Sequence, residues 1–106
     1  MTEGVKHLLR EIKDGLAAIY GQRLQAAYLY GSYARGEEDS ESDLDVLVVL
    51  DKVERYGAEI DQTGELISTL SLKHGVSISR VFVAKRDWME SEAPFLWNAR
   101  TEAIPI

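Results

Sequence analysis

Leu24-Gln25-Ala26-Ala27-Tyr28-Leu29-Tyr30 runs directly into Gly31-Ser32-Tyr33-Ala34-Arg35-Gly36, and ten residues separate Ser32 from Asp43-Leu44-Asp45-Val46-Leu47-Val48-Val49-Leu50. The first run reads as a short strand that ends in a Gly-Ser turn. The second, from Asp43 to Leu50, is the clearest strand in the chain. It is apolar on both faces, which suits a central strand covered by helices. Between them, residues 32–36 read as one helical turn and 37–42 as a polar loop.

The flanking segments support a mixed sheet with helices. Val5, Leu8, Leu9, Ile12, Leu16 and Ile19 recur at helical spacing over 5–20, and Gly21 is placed to end that helix. Val53, Tyr56, Ile60, Ile67 and Leu70 repeat the pattern up to His74, with Gly75 as the C-cap. Val76 to Val83 reads as a third strand, placing Val76, Ile78 and Phe82 on one face and Ser77, Ser79, Val81 and Val83 on the other. Asp87 followed by Glu90 reads as a capping box for a last short helix, interrupted at Pro94. The order helix, strand, strand, helix, strand, helix predicts an α/β (α+β) domain: a small mixed β-sheet with helices packed on it, spanning residues 1–106 as one unit.

Composition narrows the function classes. A hydrophobic content of 45% and a charged content of 28% are ordinary for a folded domain and argue against disorder. The formal charge of −6, from 12 basic and 18 acidic residues, argues against general nucleic-acid binding, which needs a basic face. No run approaches the roughly 20 apolar residues of a membrane span. There is no cysteine, so neither a disulfide framework nor a thiolate metal site is available, and a cytoplasmic location is expected.

The chemistry gathers around the turn and the aspartates. A Gly-Ser pair closing an apolar strand exposes backbone N–H groups and a hydroxyl, donors that suit a phosphate. Asp43 and Asp45, in i, i+2 register, point to one face about 7 Å apart. Two carboxylates so placed converge on one or two hard cations such as Mg²⁺. Together, Gly31, Ser32, Asp43 and Asp45 read as a seat for Mg-nucleoside triphosphate. Arg35 either reaches a phosphate or pairs with the acidic loop. Tyr30 and Tyr33 read as packing residues beside the turn, His7 and His74 as surface residues, and Trp88, Phe95, Leu96 and Trp97 as a lid on the sheet.

Gly31-Ser32, ten residues, then Asp43-x-Asp45 opening a Val/Leu strand resembles the signature of the nucleotidyltransferase superfamily typified by DNA polymerase β, in its minimal (MNT) branch. The motif covers residues 31–45, and the likeness in element order runs from about residue 5 to about residue 84. The resemblance implies a palm-like fold with helices packed on one face of the sheet. It implies Asp43 and Asp45 as catalytic metal ligands, with Gly31, Ser32 and Arg35 binding the phosphates of an NTP, ATP by preference. It implies transfer of a nucleoside monophosphate to a hydroxyl acceptor, such as a tyrosine on a partner protein. Such domains commonly work beside a helical HEPN protein as antitoxin or half-transferase; a homodimer is the other expectation.

The sequence departs from the pattern at one point. Catalytic members carry a third carboxylate on the next strand, where this chain has Ser77 and Ser79. A neutral hydroxyl is a poor Mg²⁺ ligand beside a carboxylate. The alternative function is therefore a weak or inactive nucleotide-binding module, antitoxin-like, that acts by docking. Asp61 and Glu65 are the fallback candidates for a third acid.

Overall fold

The computed structural model describes residues 1–106. The first helix, α1 (Glu3–Tyr20), starts where the Thr2 hydroxyl accepts the Val5 N–H at 3.1 Å. Its stripe of Leu8, Leu9, Ile12, Leu16 and Tyr20 is buried, and the helix stops at Gly21. A 3₁₀ turn (Gly21–Arg23) leads to β1 (Leu24–Tyr30), the short α2 (Ser32–Arg35) and β2 (Leu44–Leu50). Then come α3 (Tyr56–His74), β3 (Ile78–Ala84), α4 (Lys85–Glu90), α5 (Pro94–Glu102) and β4 (Ile104–Pro105).

The four strands form one mixed sheet in the order β3-β2-β1-β4. β1 and β2 are antiparallel, β2 and β3 are parallel with α3 as the crossover, and β4 lies antiparallel on the other edge of β1. Alternation along β2 feeds two cores. Leu44, Val46, Val48 and Leu50 join α1 and α3 in the larger core. Leu47 and Val49 pack with Val83, Ala99, Trp88 and Leu96 on the opposite face.

Helices therefore cover both faces of the sheet, correcting the one-face expectation. The reason lies in β2 itself: a strand apolar on both sides leaves a large hydrophobic loss unless both sides are covered. Other boundaries shift as well. Lys85 opens α4 with Ala84 as its N-cap, so Asp87 lies inside the first turn and no capping box forms; Glu90 pairs with Arg86 at 3.1 Å instead. Pro94 does not interrupt a helix but starts α5, where its missing N–H costs nothing. The short strand β4 has no counterpart among the expected elements.

Buried polar groups are paired. Glu59 is buried, accepting from Arg23 Nη2 at 2.9 Å and the Tyr20 hydroxyl at 3.1 Å. On β3, Arg80 turns toward α3, donating to Thr63 Oγ1 at 2.7 Å and the Ile60 carbonyl at 2.9 Å. By alternation, Ser79 then faces the other side.

His74 is not a surface residue. Its Nε2 lies 2.8 Å from Glu11, and its side chain is largely buried between α1 and α3. Lys73 Nζ donates to the same carboxylate at 2.8 Å. The Lys73 bond, then the His74 bond, hold the Glu11 carboxyl below the usual range. A depressed folded value stabilises the fold above the ordinary glutamate value, about 4.3, and the contribution is lost as pH falls through Glu11's own lowered value. Glu11→Gln is thus expected to lower the melting temperature by a few degrees at pH 7, with the gap to wild type closing at acid pH in thermal melts followed by circular dichroism. At a core position, Ile12→Ala is expected to cost about 2–5 kcal/mol in urea denaturation, since Ile12 is fully buried.

Candidate functional site

The site is built where β1 ends. Gly31 follows Tyr30 with φ 77° and ψ −157°, a backbone region that favours glycine. A methyl group at this position would also collide with the Asp45 carboxylate. The residue is thus required twice, once for the turn and once for the close approach. Beyond it, the single turn of α2 is closed by Arg35 N–H to the Gly31 carbonyl at 3.1 Å and Glu37 N–H to the Ser32 carbonyl at 2.9 Å. Gly31, and not Ser32, is the N-cap, and Ser32 is the first helical residue.

Asp45 stands in a row across three strands, opposite Tyr30 on β1 and Ser79 on β3. The strand expected to begin at Asp43 begins at Leu44, so Asp43 lies in the loop just before it and is exposed. Ser77 also lies outside its strand. Its carbonyl accepts the Leu44 N–H at 2.8 Å and so tethers the approach to β3 against the start of β2. The position directly beside Asp45 therefore carries a serine hydroxyl, at Ser79. Asp61 and Glu65 are on α3, which covers the opposite face, and neither belongs to this row.

The electrostatics are those of a crowded acidic corner. Burial pushes the Asp45 carboxyl up, and the neighbouring Asp43 charge adds to the effect while Arg35 opposes it. Burial, then the charge of Asp45, pushes the Tyr30 phenol up to about 12. Tyr30 is held by an edge-to-face contact with Phe95, ring centroids 5.7 Å apart, in keeping with a packing role. Tyr33 packs against the larger core.

As a metal seat, the donor set is two carboxylates, and no group of three or more His, Cys, Asp or Glu side chains is close enough to enclose an ion. Two hard oxygen donors fit Mg²⁺, which is commonly held by one or two carboxylates plus substrate phosphates and water.

Two features were not foreseen. Arg35 does pair with the acidic loop, through Glu37 at 3.5 Å, but its shorter bond is to Glu102 of α5 at 3.0 Å. The other oxygen of Glu102 accepts the Gly31 N–H at 2.9 Å. No local pattern marks Glu102, because its partners are remote in sequence. The second feature is an apolar groove of about 520 Å³ along the edge strand β3, lined by Tyr56, Val81, Val83, Phe95 and Leu96 among others. The aromatic lid is divided accordingly: Trp88 and Leu96 pack on the smaller core, whereas Phe95 and Trp97 stay 47% and 58% exposed.

A family model of the nucleotidyltransferase domain matches residues 9–94 of this chain. The chain belongs to that family. Among curated relatives of this nucleotidyltransferase domain are two proteins of Methanocaldococcus jannaschii, each named “Putative protein adenylyltransferase”. One is 33% identical over 78 residues, 74% of this chain and 78% of the relative. The other is 36% identical over 73 residues, 69% of this chain and 67% of the relative. A solved chain described as “toxin-antitoxin with AMP-PNP” shares the fold with a TM-score of 0.68 at 21% identity, over 91% of this chain and 69% of that one.

The double requirement at Gly31 is open to direct measurement. Gly31→Ala is expected to destabilise the nucleotidyltransferase domain by about 1–3 kcal/mol in chemical denaturation. On an Asp45→Ala background the same change should cost less, because the collision is gone and only the backbone strain remains.

Proposed function

We propose that this nucleotidyltransferase domain binds a nucleoside triphosphate, ATP by preference, together with Mg²⁺ between the Gly31–Arg35 turn and the Asp43/Asp45 pair, and transfers its nucleoside monophosphate to a hydroxyl on a partner protein. The observation that carries this reading is the contact of the Gly31 turn with the Asp45 carboxylate. A phosphate held by the turn would meet the carboxylates with β1 and β2 in place. Ser32 would supply a hydroxyl donor and Arg35 a guanidinium for the phosphates. Asp43 and Asp45 would hold the metal, and their mutual repulsion favours a cation between them. Bound there, Mg²⁺ would neutralise charge on the phosphoryl oxygens and orient them. Tyr30, protonated and wedged against Phe95, keeps the floor of the site rigid beside Asp45. The groove lined by Tyr56 and Phe95 supports an aromatic seat for the base. The names of the M. jannaschii relatives support ATP and a protein acceptor.

A second reading is favoured by one observation, Ser79 beside Asp45. Without a carboxylate there, β3 offers no general base beside the metal ligands, and Glu102, the other acid of this corner, is held by Gly31 and Arg35. The domain would then be a weak transferase that works mainly by docking, as an antitoxin does, to a helical HEPN-type protein or to a second copy. The exposed Phe95 and Trp97 support a docking role, as does the toxin–antitoxin origin of the structural neighbour.

Calorimetry with ATP and Mg²⁺ is expected to show binding to the wild-type chain and none to the Asp43→Asn/Asp45→Asn double variant, which keeps shape but removes the charge. Unchanged binding in the variant would reject the site. Ser79→Asp is expected to raise the rate of label transfer from ATP, toward the 10²–10⁴-fold, roughly, that a general base supplies. Efficient transfer by the wild-type chain, with no gain in Ser79→Asp, would instead reject the docking reading.

A further inference from the structure

Glu102 is 71 residues from Gly31 in the chain, yet its carboxylate lies across the turn. One oxygen accepts the Gly31 N–H at 2.9 Å and the other accepts Arg35 Nη1 at 3.0 Å. Two donors pointing at one anion, a backbone N–H and a guanidinium, are the chemistry of a phosphate seat. Here an acidic side chain of the same chain takes both. Burial works against its ionisation, but the Gly31 N–H and Arg35 outweigh burial and hold the Glu102 carboxyl below the usual range. Its charge also adds to the repulsion felt by Asp45.

Residues 103–106, directly after Glu102, form a light strap. Ile104 and Pro105 pair with Leu29 and Tyr28 on the edge of β1. Ile106 N–H donates to the Ala27 carbonyl at 3.0 Å, and Lys13 Nζ donates to the Ile106 carbonyl at 2.8 Å. A two-residue strand on a sheet edge, with Ile104 38% exposed and only Ile106 of the strap packed against the larger core, opens more readily than the inner strands.

We propose that Glu102 is a built-in occupant of the phosphate seat, so that a nucleoside triphosphate binds only by displacing its carboxylate and loosening the strap 103–106 from β1. This regulation rests on the triphosphate reading of the Gly31–Arg35 turn. In the resting chain the carboxylate neutralises Arg35 and satisfies Gly31. A triphosphate carries more negative charge than one carboxylate and can supply oxygens to both donors, so it wins the exchange at sufficient concentration. Binding at the turn then becomes coupled to the exposure of the β1 edge, which is a ready surface for strand addition.

The test compares the wild-type chain with Glu102→Gln, which keeps size but lacks the charge, after circular dichroism has shown equal folding. Calorimetry with a non-hydrolysable ATP analogue and Mg²⁺ is expected to show roughly tenfold tighter binding to Glu102→Gln, the order of one charge-assisted contact no longer competing. Independently of any mutation, hydrogen exchange on the wild-type chain is expected to show the Ile106 amide exchanging severalfold faster once the analogue is bound. Equal affinities with unchanged exchange would overturn the displacement while leaving the triphosphate reading intact. Weaker binding to Glu102→Gln would make Glu102 part of the ligand's seat and equally overturn it. Absence of binding to both chains would overturn both inferences.

Discussion

Burial of β2 on both faces is the constraint on which the rest of the structure depends. Val46, Val48 and Leu50 are inaccessible on one side and Leu47 and Val49 on the other, and both edges are hydrogen-bonded, to β1 and β3. A strand so enclosed can neither slip in register nor twist away, because a one-residue shift would exchange its two apolar faces and break both ladders. Asp45 therefore stands at a fixed point at the opening of a rigid element. It is the one acidic residue of β2, placed where the apolar cover ends.

That rigidity has an electrostatic consequence. A carboxylate at the rim of a hydrophobic layer, with Asp43 close by, favours its neutral form more than a free aspartate does. The chain tolerates this because Arg35 lies near and because the corner is only partly buried. Gly31 is drawn into the same arrangement, since a Cβ at this position would force the Asp45 side chain to move. The acid lies against the turn, and Glu102 ties the turn to the guanidinium by bonding both Gly31 and Arg35.

The membership of the chain in the nucleotidyltransferase domain family gives this unit a context, and Ser79 gives it a particular character. Parallel pairing brings Ser79 directly beside Asp45, so the neutral hydroxyl is a feature of the site and not of a distant loop. The further acid at this corner comes instead from α5, through Glu102, whose place is decided by packing of Ala99 and Leu96 on the smaller core.

Much of this was legible in the sequence. Helical spacing from Val5 to Ile19 and from Val53 to Leu70, the apolar run after Asp45 and the Gly31-Ser32 turn are local patterns, and local patterns dictate local elements through 3.6-residue and two-residue periodicity. The same holds for the association of Gly31 with Asp45, because a tight turn and a short loop leave an antiparallel pair few registers. An apolar second face on β2 and a break at Pro94 were legible; the helix α5 that continues from Pro94 and the strand β4 were not. They arise from contacts between segments whose own patterns are weak: two residues make β4, and α5 buries Ala99 alone. Glu102 is the sharpest case. As a residue it is one of 18 acids without a distinguishing neighbour, and only the return of α5 to the end of β1 sets its carboxylate on Gly31 and Arg35. The sequence by itself determined the principal helices and strands and the chemistry available at the turn, because both depend on neighbours along the chain. Tertiary structure alone decided which acid stands at that turn, because that depends on where two distant segments bury their apolar faces.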